Sequence, residues 1–96
     1  MTRIEEGKRI IITVLGHDRV GIIAGISAIL ADASINILDI NQTILQGFFT
    51  MVMVADISDS TIDIARLREI LNRKGEELQL QITVQHEDIF KFMHRI

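Results

Sequence analysis

Four stretches of the chain carry the hydrophobic pattern of β-strands. Residues 9–15 are apolar on both sides, which is typical of an interior strand. Residues 78–85 alternate strictly between apolar and polar, as expected of an edge strand with one face in water. The segments 35–45 and 48–57 predict two further strands that are adjacent in the chain.

Two local features refine this pair of strands. Gln46 and Gly47 stand between them and predict a hairpin turn. Within the first strand the apolar positions change face near residues 37–39, which indicates a β-bulge.

Two segments between the strands predict helices. Residues 19–33 repeat apolar residues at helical spacing and carry no charge between the first residue and Asp32. This helix has too little polar surface to face water alone, so it needs a cover. A second, amphipathic helix follows Ser60, the predicted N-cap with Asp63 three residues later, and ends just before Gly75.

The element order predicts an α+β fold: a ferredoxin-like βαββαβ sandwich in which a four-stranded antiparallel sheet carries two helices on one face. We expect this domain at 9–86, after an N-terminal tail at 1–8. Residues 87–96 predict an extra C-terminal helix, which packs on the open face of the sheet, in its own chain or in a partner subunit. Its apolar stripe is Ile89, Phe90, Met93 and Ile96.

Composition, charge and motifs limit the partners and the classes of function that we expect. The 96-residue chain has a net charge of −3 with scattered basic residues and few aromatics, so neither a nucleic acid nor a membrane is an expected partner. Cysteine is absent, which makes the cytoplasm the default location. No phosphate loop, dinucleotide fingerprint or nucleophile elbow follows a strand, and the histidines lack metal-ligand spacing. We therefore expect no enzyme, cofactor or metal.

The junction between the first strand and the first helix is the candidate site. It runs from Gly16 to Gly21, and such a junction directs backbone N–H groups toward one spot. The N–H groups of Val20, Gly21 and Ile22 could meet a ligand carboxylate. Asp18 could accept hydrogen bonds from a ligand ammonium group. A small zwitterion would suit this environment.

Each candidate also has a structural alternative. Asp18 is equally suited to cap the helix, and the glycines to a tight turn and close packing. Asn36, whose amide lies on the strand face opposite its apolar neighbours, could bind a ligand or stabilise the preceding turn. His17 is a secondary candidate because it lies beside the junction.

The motifs resemble the ACT domain, and the whole chain is similar to small stand-alone ACT proteins related to the glycine-cleavage system transcriptional repressor. The resemblance rests on the glycine junction and on the start of the second strand. The matching residues are Gly16, Asp18, Arg19, Val20, Gly21, Ile22, Ile23, Ala24, Gly25, Ile26 and Ser27, and then Ile35, Asn36, Ile37, Asp39, Ile40 and Gln42.

This resemblance implies a non-catalytic regulatory protein that binds a small ligand, commonly an amino acid, at the interface of a homodimer. In a serine-binding member, polar side chains stand where this chain has Gly16, Asp18 and Asn36. The resemblance therefore implies a ligand role for Asp18 and Asn36, whereas Gly16 offers backbone alone. A regulatory protein could be a further partner. The alternative is a ligand-free module that uses the sheet for oligomerisation and partner docking.

Overall fold

The computed structural model describes residues 8–87. They form six elements in the order βαββαβ: β1 (Arg9–His17), α1 (Ile22–Asp32), β2 (Asn36–Leu45), β3 (Phe48–Asp56), α2 (Ile64–Leu78) and β4 (Leu80–His86). The strands make one antiparallel sheet of order β2-β3-β1-β4. The predicted fold is confirmed, with β1 in the interior and β4 at an edge. The segment predicted as a C-terminal helix lies outside the described residues, apart from Glu87.

The core lies on one face of the sheet, beneath both helices. Alternate residues of β1 and β3 point into it, and each helix contributes the apolar residues of one stripe. Since no polar side chain among the described residues is buried, aliphatic packing holds this layer together. Its most deeply buried members are Ile10, Ile12, Val14, Ile22, Ile26, Leu30, Met51, Met53, Leu67 and Leu71.

The β2–β3 hairpin matches its prediction. Gln46 and Gly47 both have positive φ, 52° and 85°, as a type I′ turn requires. The register of β2 on β3 shifts between Ile37 and Asp39, which confirms the bulge.

The junction after β1 is shorter than predicted. β1 continues through Gly16 to His17, so these two residues belong to the strand. α1 begins at Ile22 rather than at residue 19, because Gly21 adopts the left-handed conformation (φ 97°) at its N-cap.

The predicted cap of the second helix was wrong. The N-cap is Asp63, whose carboxylate accepts a hydrogen bond from the backbone N–H of Arg66 at 2.8 Å. The Ser60 hydroxyl is engaged earlier in the chain. It accepts from the N–H of Ile62 at 3.2 Å and donates to the Ile62 carbonyl at 2.7 Å.

The predicted end of this helix was also wrong. α2 passes through Gly75 and ends at Leu78, so Leu78 is helical rather than the first residue of β4. The chain turns at Gln79, which takes the left-handed conformation that ends many helices.

Close packing explains the glycine inside α2. A Cβ at Gly75 would lie 2.8 Å from the backbone oxygen of Leu80. For Gly25, which lies inside α1, the sequence predicts a close approach to a strand or to a partner helix, because glycine is costly in a helix interior. A Cβ at Gly25 would meet only side-chain atoms, the nearest 3.7 Å away on Lys74, so that expectation fails within one subunit.

These two glycines should respond oppositely to the same substitution. Gly25→Ala should stabilise the protein by about 0.5–1 kcal/mol, because alanine loses less backbone entropy in a helix. Gly75→Ala should destabilise it by about 1–3 kcal/mol, because α2 must move away from β4. Urea unfolding of both variants at one protein concentration checks this. Stabilisation by Gly75→Ala would contradict the packing argument.

Candidate functional site

Two contacts hold the β1–α1 junction in place. The N–H of Asp18 donates a hydrogen bond to the carbonyl of Gly47 at 2.9 Å, which ties the junction to the β2–β3 turn. The ring of His17 stacks on that of Phe48, with centroids 4.9 Å apart. The three segments therefore form one corner of the molecule.

No side chain caps the first turn of α1. The backbone N–H groups of Ile22, Ile23 and Ala24 therefore have no intrahelical partner and carry the partial positive charge of the helix start. Asp18 does not cap this helix, so that structural alternative was wrong.

A cavity of about 250 Å³ lies between the start of α1 and the far half of β2. Two residues of opposite charge are among those that line it, Asp18 and Arg19. Arg19 makes one long hydrogen bond, 3.4 Å to the carbonyl of Leu78. The complete lining is Asp18, Arg19, Gly21, Ile22, Ile23, Ala24, Gln42, Ile44 and Phe49.

Three of the predicted site residues line this cavity: Asp18, Gly21 and Ile22. Arg19 was overlooked as a site residue, although it follows Asp18 directly in the motif. Gln42 belongs to the matching motif but was not among the predicted site residues, since it is distant from the junction in sequence. The register of β2 within the sheet places Gln42 at this cavity.

Three other predicted residues lie beside the cavity but do not line it. A Cβ at Gly16 would be 2.6 Å from the Leu80 side chain and 3.2 Å from the Gln79 carbonyl, so close packing accounts for this glycine. His17 lies against Phe48. Val20 is 97% exposed, in the direction away from the core.

Asn36 lies at the other end of the sheet. It begins β2 and pairs with Asp56 of β3. Its side chain is exposed, between buried Ile35 and half-buried Ile37, as predicted. The length of β2 puts it about 30 Å from the Asp18 corner, so one subunit does not bring the two predicted ligand residues together.

The charges around Asn36 are satisfied within the fold. Hydrogen bonds from the hydroxyl and the N–H of Ser58, with smaller contributions from nearby cations, lower the pKa of Asp56 below its ordinary value. Arg9 pairs with Glu87 through two bonds of 2.9 and 2.6 Å, which raise its pKa. Asp56 and Arg9 are therefore already engaged by other groups among residues 8–87.

A larger cavity of about 330 Å³ lies at the same end, between the start of α2 and the end of β4. Its polar groups include Ser60 and Asp63, which are already engaged in the turn and cap of α2. His86 lines it as well, and the buried Nδ1 of His86 has no hydrogen-bond partner among the described residues. The Asp18 cavity differs in lying at an uncapped helix start beside one acidic and one basic residue, so we take it as the candidate site.

Residues 8–87 contain neither a membrane-spanning helix nor a cluster of metal ligands. Neither α1 nor α2 is long and apolar enough to cross a bilayer. No three acidic or histidine side chains of this range come together as metal ligands.

Known proteins resemble the chain in sequence and in fold. The family model described as the ACT domain matches residues 8–85. A UPF0237 protein of Methanocaldococcus jannaschii is 54% identical over 88 residues, which cover 92% of this chain and 98% of that protein. An ACT domain protein from Streptococcus pneumoniae has a TM-score of 0.75 and 41% identity, over 85% of this chain and 92% of that one.

A solved structure described as a glycine cleavage system transcriptional repressor has a TM-score of 0.72 and 26% identity. The similarity covers 81% of this chain but 44% of the repressor. This chain therefore corresponds to less than half of that protein.

The two aspartates that precede the helices should differ in their effect on stability. Asp63→Ala should cost about 1 kcal/mol, because it removes the cap of α2. Asp18→Ala should change stability by less than about 0.5 kcal/mol, because its exposed carboxylate caps nothing. Chemical denaturation of both variants measures this. A large loss in Asp18→Ala would show that Asp18 has a structural role.

Proposed function

This chain belongs to the ACT-domain family of regulatory modules, and from that premise we propose that it is a non-catalytic sensor that binds a free amino acid in the Asp18 cavity. The observation that carries the proposal is the pair of opposite charges beside an uncapped helix start. Asp18 would accept hydrogen bonds from the ligand ammonium group. Arg19 and the first N–H groups of α1 would bind its carboxylate.

The size of the cavity supports a ligand of this kind. Its volume of about 250 Å³ is below the roughly 300–1,000 Å³ of clefts that hold drug-sized molecules. The guanidinium of Arg19 has five N–H donors, of which the contact with Leu78 uses one, so donors remain for a carboxylate. The carboxylate of Asp18 accepts no hydrogen bond from the described residues, which leaves it available to a cation.

An exposed apolar surface beside the cavity supports a homodimer. Val20 is 97% exposed, Ile44 54% and Ile40 39%, and β2 is an edge strand. Exposed apolar residues just before α1 and along an open strand edge favour pairing with a second copy. The other edge, β4, exposes polar Gln81, Thr83 and Gln85 instead. We therefore place the dimer interface at α1 and β2, and call this surface the α1–β2 seam.

The dimer also accounts for the distance between Asp18 and Asn36. A two-fold axis at the seam pairs β2 with its copy in antiparallel fashion. The beginning of one β2 then lies beside the end of the other, so Asn36 of the partner subunit approaches the Asp18 cavity. Each ligand site would contain residues of both chains, within a continuous eight-stranded sheet.

Similarity to the glycine cleavage system repressor favours a regulatory output. Ligand binding at a shared site changes the affinity between subunits, because thermodynamic linkage is reciprocal. The state of the dimer can therefore report the ligand concentration to a regulatory protein. The ligand-free docking module remains the second candidate function, supported by Gly16, which provides no side-chain donor.

Calorimetric titration with each of the twenty common amino acids should identify a ligand. Asp18→Asn should weaken its binding at least about tenfold, because a charge-assisted hydrogen bond to the ammonium group is lost. Asp59→Asn removes an exposed acidic charge elsewhere and is the matched control. If no amino acid binds to the folded dimeric protein, the sensor proposal fails and the docking module replaces it.

Mixing two binding-deficient variants tests whether the site is shared. Asp18→Ala and Asn36→Ala should each be dimeric in light scattering and fail to bind. After exchange of subunits, the mixed dimers contain one intact site, so binding should return to about a quarter of the wild-type capacity.

The control is the same mixture with Ile40→Asp in both chains, a seam residue that does not line the cavity, and this change should prevent dimer formation and the recovery. A site contained within one chain would show no recovery in either mixture, and a wild-type monomer would refute the shared site directly.

A further inference from the structure

The face of the sheet opposite the helices carries an apolar stripe. β1 and β3 contribute it from paired positions, because Ile11 lies opposite Val54 and Thr13 opposite Val52. Val52 is 40% exposed, and Phe48, at the far end of the stripe, is 50% exposed. We call this surface the open face. It is distinct from the α1–β2 seam, so a dimer through the seam leaves it uncovered.

We propose that residues 88–96 of the same chain dock on the open face and cover this stripe. The position at which the chain leaves β4 supports the docking of this segment. The N–H of Glu87 donates a hydrogen bond to the Arg9 carbonyl at 3.0 Å, so the chain is still held beside β1 when it leaves the sheet. Arg9 alternates with the inward residues of β1 and shares the open face with Ile11. The Arg9–Glu87 ion pair therefore anchors the segment next to the stripe.

The length of the segment fits the distance that it must cross. Residues 88–96 would span about 14 Å as a helix, at about 1.5 Å per residue. Three strand spacings of about 4.8 Å separate β4 from β2, which is also about 14 Å. A helix that starts at the end of β4 therefore reaches across β1 and β3, where the stripe lies, without a second subunit.

The chemistry of the segment fits as well. At helical spacing, Ile89, Phe90, Met93 and Ile96 share one side and would face the stripe. Its basic residues, Lys91 and Arg95, fall outside this apolar set. A carboxylate borders the receiving surface, that of Asp39 opposite Val54. The apolar side of the segment therefore matches the apolar stripe, and its basic residues match the acidic charge beside the stripe.

A disulfide trap tests the docking directly, because the chain contains no cysteine of its own. Val52→Cys combined with Met93→Cys should form an intramolecular disulfide under mild oxidation, seen as a shift in mobility at single-chain mass on a non-reducing gel. Arg73→Cys combined with Met93→Cys, with one cysteine on exposed α2, is the matched control and should not cross-link. Covalent dimers, or cross-linking no greater than in the control, would overturn the proposal.

A second pair of variants keeps the proposal testable if the cysteine variants fold poorly. Phe90→Ser removes a residue of the apolar set, whereas Phe92→Ser makes the same change outside it. Only Phe90→Ser should lower the urea midpoint and increase the fluorescence of an apolar dye. Equal effects of the two variants would overturn the docking. Amino-acid titration of the same samples reports the sensor function separately, so either proposal can fail alone.

Discussion

Two helices can cover only one face of a four-stranded antiparallel sheet, and this limit shapes the whole molecule. The covered face holds an aliphatic core in which every second residue of β1 and β3 is buried. The remaining apolar residues have no cover among residues 8–87. They form two separate surfaces, the α1–β2 seam and the open face, and both proposals concern what occupies them.

The proposed site depends on the same arrangement. Because α1 begins at left-handed Gly21 without a capping side chain, its first N–H groups stay available at the corner beside Asp18 and Arg19. A backbone hydrogen bond and a ring contact join this corner to the hairpin. In the proposed dimer, binding at the edge of the seam would couple the ligand to the association of subunits, which is a physical basis for regulation.

Much of the fold was predictable because its determinants are local. Short apolar runs and, in the last strand, strict alternation predicted the strands. The Gln46-Gly47 turn and the bulge at 37–39 followed from turn chemistry and a change of phase. The ends of the helices were harder to predict from the sequence. Ser60 and Asp63 are both residue types that commonly cap helices, so the sequence alone does not distinguish them. Gly75 is a residue type that often ends a helix, yet in the structure Gly75 lies inside α2, where it packs against the Leu80 carbonyl across the α2–β4 turn.

The sequence by itself determined the family and the order of elements, because these depend on residues that are neighbours along the chain. Only the tertiary structure decided which residues share the cavity. It brought Gln42 to Asp18, assigned Gly16 to packing against Leu80, and separated Asn36 from the junction by the length of β2. The reason is that strand register and helix placement position residues that are distant in sequence, and no local pattern contains that information.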